Sequence, residues 1–386
     1  MKIGIEAQRI YRKKKHGMDM VALELIRNLQ SADKLNEYVI FVHPDEENYL
    51  LMETENFRIV ELPGGFYPFW EQFSLSRAAR KHHCDILHCT SNTAPLISSV
   101  PLVVTLHDII YMEKGYLDLL TGRGSWYQKI GNAYRRFVVP RILRKSRKII
   151  TVSEFERKRI ASFFGIPDEG RLEAVYNGVG QHFKPVTDEA ELRRIKETYR
   201  LPDHFFFFLG NTDPKKNTPG TLKAFAEFVK STGSDIHLVM LDYDRAELEK
   251  LLRTIDAYEI IDRIVLTGYV VNTDLPALYS QSDIFLYPSL RESFGLPVLE
   301  AMACGIPVIT STTSSMPEVA GDAALLVDPY NTHELTEAMH KLLNDKALRN
   351  ELVLKGKQRA AEFSWGAMAN KVLEIYKEID SEKPNN

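Results

Sequence analysis

The sequence RESFGLPVLEAMACGIPVITS, residues 291–311, decides how this chain folds. Just before it, DIFLY (283–287) is a short apolar run stopped by Pro288, the pattern of a buried strand. A loop follows over 289–296 and carries Glu292 and Gly295. Pro297 falls in the first turn of a helix continuing over 298–303, where a missing N–H costs nothing. Gly305 is placed to cap that helix, and 306–310 reads as the next strand. The order is strand, loop, short helix, strand. The helix N-terminus offers free N–H groups and a partial positive charge, a natural seat for a phosphate.

Two carboxylates bracket that seat. Glu292 lies in the loop and Glu300 about one turn inside the helix, leaning back toward the N-terminus. A carboxylate repels phosphate but accepts from hydroxyls, so a sugar diol is its natural partner. The plainer alternative is that Glu300 complements the helix dipole and Glu292 is a solvated loop charge.

The frame ESFGLPVLEAMACGIPVI, with seven residues between Glu292 and Glu300, resembles the signature of the retaining nucleotide-sugar glycosyltransferases of family 4. Phe294-Gly295, Pro297, Glu300-Ala301, Gly305 and Pro307 all fall in place. The resemblance implies an α/β fold of two facing Rossmann-like domains, the GT-B architecture, with a deep interdomain cleft. It puts Glu300 on the nucleotide ribose. It puts Glu292, Ser293, Phe294, Gly295 and Leu296 on the transferred sugar and diphosphate.

Composition agrees with a soluble globular protein of two domains. The 386 residues suffice for two full cores, and 44% hydrophobic with 26% charged residues is ordinary for a globular protein. A net charge of −3 gives no general pull toward nucleic acid, and none is expected as a partner. Three scattered cysteines fit a reducing cytoplasm better than a disulfide framework. Met1 opens straight into KIGIE without a signal-peptide pattern, and no apolar run approaches a membrane span. A cytoplasmic protein is expected.

In the first half, strand-like runs at 2–6, 38–42, 85–89, 102–106 and 148–152 alternate with helical patterns such as 20–29. That alternation argues for a parallel sheet covered by helices, with ligands at the strand C-termini. Three strand ends carry chemistry. RIYRKKKHGMD (9–19) brings five cations and Gly17 to a helix start, either a charged surface loop or a diphosphate approach. The resemblance makes Gly17 the glycine that lets backbone approach the donor. His107-Asp108 leaves the strand at 102–106, and a histidine there is either structural or a proton mediator. The resemblance puts His107 on the sugar or acceptor, with Asp108 beside it. TVSEFER (151–157) offers Ser153 as a helix cap; the resemblance instead puts Ser153, with Arg157, at the interdomain cleft.

Residues 119–153 contain nine Lys or Arg, several aromatics and no acid. This is either a solvated helix face or a patch for an anionic acceptor or the inner membrane surface. His82, His83, Cys84, His88 and Cys89 crowd together, but their spacing matches no standard zinc pattern.

In the second half, residues 177–187 (NGVGQHFKPVT) read as a linker between an N-terminal domain over 1–176 and a C-terminal domain over 188–362. Strand-like runs recur at 204–209, 236–241, 263–267, 283–287, 306–310 and 324–327. The loop GNTDPKKNTPG (210–220) follows the first of them, and its lysines suit a diphosphate leaving group. The resemblance assigns Lys216, with Lys215, to that diphosphate; Asn211 stands where many members carry arginine. It also puts the turn of Tyr269 and Val270 against the base. Asp242-Tyr243-Asp244 imitates a metal motif of another architecture, in a place that suits a solvated loop. Residues 363–386 read as a helix that the resemblance returns to the first domain.

The function expected is transfer of a hexose from a nucleotide diphosphate sugar to a hydroxyl of a glycan or lipid-linked acceptor in polysaccharide or lipopolysaccharide assembly. GDP-mannose is the first donor and a UDP-hexose the second. Glu292 and His107 are the catalytic candidates. No metal or other cofactor is required. A nucleotide-sugar epimerase, a phosphorylase, or an inactive sugar-binding scaffold are the rivals.

Overall fold

Residues 205–208 are four consecutive phenylalanines, all buried. A strand with one wet face alternates; a strand apolar on both faces belongs inside a parallel sheet covered by helices. The computed structural model, which describes residues 1–13, 15, 17–113, 126–167 and 170–382, has two such sheets in two compact units. One unit comprises Met1–Asn177 with the chain from Trp365 onward, the other Gly178–Ser364.

The first unit contains β1 (Lys2–Glu6), β2 (Glu37–Val42), β3 (Phe57–Glu61), β4 (Ile86–Cys89), β5 (Leu102–Leu106), β6 (Lys148–Thr151) and β7 (Leu172–Ala174). They pair in parallel in the order β3-β2-β1-β4-β5-β6-β7. Five were expected within a residue or so. The edge strands β3 and β7 were not. β3 (FRIVE) is only partly buried and interrupted by Arg58, and β7 (LEA) is three residues long. Neither carries the continuous apolar run of an interior strand.

The second unit contains β8 (Phe205–Phe208), β9 (His237–Met240), β10 (Ile264–Leu266), β11 (Ile284–Tyr287), β12 (Val308–Ser311) and β13 (Leu325–Val327), ordered β10-β9-β8-β11-β12-β13 and parallel throughout. Five fall inside the expected runs, and β12 passes its run (306–310) by one residue, to Ser311. Residues 178–187 belong to this unit: Val179 N–H donates to Phe363 O at 3.1 Å, and Val186 N–H to Ser280 Oγ at 3.0 Å.

The last helix, Trp365–Ser381, completes the first unit. Met368, Val372, Leu373, Ile375, Tyr376 and Ile379 are buried in one cluster with Ile3, Ile5, Leu23 and Ile26. Burying six such side chains stabilises the unit by roughly 10 kcal/mol before entropy is counted. Lys148 anchors the same helix, donating to Glu378 at 2.7 Å and to Glu173 at 2.9 Å. No helix among the described residues is long and apolar enough to cross a membrane.

His88 lies beneath this helix, its Nδ1 2.6 Å from Tyr376 Oη and its Nε2 2.8 Å from Thr105 Oγ1. Burial pushes its imidazole down to about 3, so it stays neutral in the folded chain. The unfolded chain takes up that proton near pH 6.5. Stability is therefore full above about pH 6.5 and falls on acidification, by up to about 1.4 kcal/mol per pH unit for one such group. Replacing His88→Gln is expected to flatten the slope of stability against pH between pH 6.5 and 5. Urea denaturation across that range measures it; an unchanged slope would contradict this account.

Candidate functional site

In an open parallel sheet the strand order reverses at one point, and the chain leaves the two strands there to opposite sides. In the second unit that point lies between β8 and β11. The loop after β8 closes with a single 3-10 turn, Pro214–Lys216, whose Lys215 N–H is capped by Asp213 at 3.2 Å. Asn217 follows with φ 55°, its amide donating to Pro329 O at 2.6 Å. The loop after β11 is tied to it through Leu290 N–H to Lys215 O at 2.7 Å.

These ties bring Lys216 and Glu292 together. Lys216 Nζ donates to Glu292 Oε1 at 2.6 Å and to Tyr287 Oη at 2.6 Å. Glu292 and Tyr287 are buried, and burial followed by the Glu292 charge pushes the Tyr287 hydroxyl well above its ordinary range. The ammonium has three protons, two of them committed here. The sequence reading gave Lys216 and Glu292 separate partners; the structure makes them an ion pair. It missed Tyr287, because a tyrosine ending an apolar strand reads as core.

The loop after Glu292 is held from behind. Glu292 N–H donates to Ser314 Oγ at 3.0 Å, and Ser315 Oγ contacts Glu292 O at 3.1 Å and Phe294 O at 2.9 Å. The buried Phe294 ring meets Phe363 edge-on at 5.8 Å. Gly295 then turns the chain at φ 107° into the helix Leu296–Ala303. That helix ends as expected: Gly305 at φ 78° donates to Met302 O at 3.0 Å, and Ile306 N–H to Ala301 O at 3.1 Å. Glu300 accepts from Tyr279 Oη at 3.2 Å, and burial pushes its carboxyl up to about 7. Tyr279 too was unread in the sequence, for the same reason as Tyr287. Ser293 sits half-buried between Glu292 and Phe294.

The remaining second-unit candidates lie around this centre. Lys215 Nζ is 3.9 Å from Asp213 Oδ2. Asn211 shapes the turn, accepting from Asp213 N–H at 2.9 Å and, through its carbonyl, from Thr218 Oγ1 at 2.7 Å. After Gly268, Tyr269 is exposed and Val270 buried. Asp244 caps the helix Arg245–Thr254.

In the first unit, the His107 N–H donates to Asn92 Oδ1 at 2.6 Å, and its Nε2 lies 2.9 Å from Thr90 O. A carbonyl only accepts, so this network assigns the proton to Nε2 and leaves Nδ1 as an acceptor. Burial lowers its pKa and keeps it neutral. Gly17 opens the helix Gly17–Ala32 on the surface, and a Cβ there would meet nothing within 4 Å. Asp108 accepts from Ile110 N–H at 3.1 Å, and the buried Ser153 caps the helix Glu154–Phe164. Arg157 folds back onto Glu154 at 2.6 to 2.9 Å. Each of these three contacts the helix that it opens or belongs to.

Two of the nine cations read as unopposed are in fact opposed by acids distant in sequence. Arg147 pairs with Glu382, and Lys148 with Glu173 and Glu378. Residues 119–125 of that segment lie outside the described residues. Among the described residues no group of three or more His, Cys, Asp or Glu is placed to hold a metal ion.

Gly295 supplies a direct test. A Cβ there would sit 2.2 Å from Met316 Cε, at a φ that other residues rarely adopt. Gly295→Ala is expected to cost about 1–3 kcal/mol, and Met316→Ala to restore only part of it, since the backbone strain stays. Chemical denaturation of the single and double variants reads both.

Two family patterns match in chain order: "Glycosyltransferase Family 4" over residues 16–181 and "Glycosyl transferases group 1" over residues 189–359. O-antigen chain mannosyltransferase B of Escherichia coli is 32% identical over 236 residues, 61% of this chain and 61% of that protein. The serotype-specific mannosyltransferase WbdA of Escherichia coli is 30% identical over 243 residues, 60% of this chain and 30% of that protein. The chain thus matches less than two thirds of the length of either relative. A solved sucrose-phosphate synthase from Thermosynechococcus elongatus shares the fold, with a TM-score of 0.74 at 19% identity over 98% of this chain and 99% of that one. Two Rossmann-like units carrying these two patterns in this order make the chain a member of the group 1 and family 4 glycosyltransferases of GT-B architecture.

Proposed function

We propose that this protein transfers a hexose, mannose before others, from a nucleotide diphosphate sugar to a hydroxyl of a glycan or lipid-linked acceptor, with retained anomeric configuration. The observation that carries the reading is the Lys216–Glu292 pair at the strand-order reversal, beside a helix N-terminus. The relatives named mannosyltransferases support the sugar, and O-antigen in one name supports a cell-surface glycan.

The chemistry follows from the donors and acceptors present. The third Lys216 proton, Lys215 and the positive end of the helix Leu296–Ala303 neutralise the departing diphosphate. Ionised Glu300 accepts from the ribose diol. Glu292 holds a sugar hydroxyl, and Tyr269 and Val270 lie against the base. Neutral His107 offers Nδ1 to a hydroxyl of sugar or acceptor, with Gly17 at the donor approach. A carboxylate locked onto an ammonium is a poor nucleophile. Retention then comes from attack on the face the diphosphate leaves: the anomeric C–O bond to phosphate breaks, the acceptor oxygen bonds to the same face, and its proton passes to the departing phosphate oxygen.

A donor panel without acceptor tests the reading by slow hydrolysis: GDP-mannose is expected to be consumed ahead of UDP-hexoses. A panel in which none is consumed or bound would refute it; an isomerised donor would indicate an epimerase instead. Lys216→Ala is expected to lower kcat/KM by about 10²–10³-fold, and Glu292→Gln chiefly kcat.

Glu300 adds a pH signature. Its folded pKa of about 7 lies above the usual carboxylate value, so its contribution to stability is full below about pH 4.5 and is lost as pH rises through 7. Glu300→Gln is expected to make the donor-free protein more stable at pH 8. The same change is expected to raise the donor KM and remove the gain in donor affinity between pH 6 and 8. Melting temperatures and binding isotherms at the two pH values check both signs.

A further inference from the structure

The run 67–81 in the first unit is one continuous helical stretch, with a π-turn over Trp70–Leu75 between short α-helical turns. Its inner side is fixed. Trp70 Nε1–H donates to Leu62 O at 2.7 Å. The buried Glu71 carboxyl accepts from Tyr67 Oη at 2.7 Å, from Thr93 Oγ1 and from Tyr134 Oη. Leu75, Ala78 and Ala79 pack in the core. With that side bolted down, the opposite side has a set direction, and it presents phenylalanine. Phe69 and Phe73 are 57% and 64% exposed, with ring centroids 5.1 Å apart, and Phe66 is exposed just before them. A helix facing only water ordinarily carries charged residues there.

Two neighbouring elements extend this face. Ile97, 84% exposed, stands on a loop held by Ser76 Oγ to Ile97 O at 2.8 Å and by Leu96 N–H to Gln72 Oε1 at 2.8 Å. Gln72 also donates to Tyr134 Oη at 2.7 Å, on the helix Trp126–Lys145. That helix adds exposed Phe137, with the Arg141 guanidinium 3.8 Å over its ring. Arg144 is exposed, and Lys145 Nζ reaches Leu96 O at 3.1 Å. The three contributing stretches, 62–81, 90–107 and 126–148, contain no Asp or Glu except the buried Glu71. On a chain of net charge −3 this is a local concentration of positive charge among exposed apolar side chains.

We infer that this face docks on the surface of a bilayer containing anionic lipid, with Phe69, Phe73 and Ile97 entering the headgroup boundary and Arg141, Arg144 and Lys145 meeting lipid phosphates. Aromatic and aliphatic tips beside cations, with no exposed acid within these three stretches to repel a phosphate, have the composition of an interfacial surface. The basic run at 119–153 supplies only part of it. The aromatic wedge comes from 66–73, which no charge pattern marks. The inference stands apart from the proposed transfer reaction and needs no turnover for its test.

The full chain is sedimented with vesicles of phosphatidylcholine alone or mixed with phosphatidylglycerol, at low and high salt. Binding is expected with the mixed vesicles only and weakens with salt. Arg141→Gln, Arg144→Gln and Lys145→Gln together, and Phe69→Ser with Phe73→Ser, are each expected to lower partitioning by about tenfold or more. Thermal melting confirms that both variants fold. As a reading independent of those losses, Phe73→Trp is expected to add emission that brominated acyl chains quench. An unmodified protein that stays in the supernatant, vesicle binding unchanged by either variant, or no added quenching would overturn the inference.

Discussion

An ammonium and a carboxylate 2.6 Å apart, 76 residues apart in sequence and both largely shielded from water, hold together the loops after β8 and β11. Removing two charges from water is costly, and mutual attraction offsets this only when hydrogen bonds satisfy the remaining groups. Tyr287 supplies one such bond to Lys216, and Ser314 and Ser315 fix the backbone that carries Glu292. The strand order puts these loops side by side; the ion pair then sets the position of Gly295 and of the helix behind it.

The first unit handles polarity differently. At its own strand-order reversal, between β1 and β4, the buried Glu6 carboxylate accepts from Gln8 and Thr90 N–H at 3.0 and 3.2 Å. Thr90 in turn offers its carbonyl to His107. One stretch, 90–92, therefore donates to Glu6 at the end of β1, accepts from His107 after β5, and sets the tautomer of the histidine read as functional. Hydrogen bonds among Glu6, Thr90, Asn92 and His107 organise this end of the sheet, beside an ion pair of Arg9 with the buried Asp19 at 3.0 Å.

Much of this was legible in the sequence, for identifiable reasons. Interior strands announce themselves because burial on both faces demands unbroken apolar runs, and 205–208 is the plainest case. The turn at Gly295 and the cap at Gly305 were legible because only glycine suits their backbone angles. The Lys216–Glu292 pairing was not, since nothing in either loop records which strand lies beside which. Tyr279 and Tyr287 were hidden by their own hydrophobic bulk, which reads as core until the hydroxyl is placed. The acid-free run at 119–153 gave a false impression for Arg147 and Lys148, whose partners lie more than two hundred residues away or on a neighbouring strand. Gly17 shows the reverse: it was singled out by its loop, and no contact in the structure requires a glycine there.

The helix Trp365–Ser381 belongs to the unit that begins the chain, although the whole of the second unit is encoded before it. On the ribosome, then, Ile3, Ile5 and Leu23 emerge early and remain without their covering helix until residues 365–381 have been made. The second unit, uninterrupted in sequence, holds all its own parts sooner. Of these two units the one begun first is thus the one completed second, and a nascent-chain chaperone would have its longer task on the face of β1.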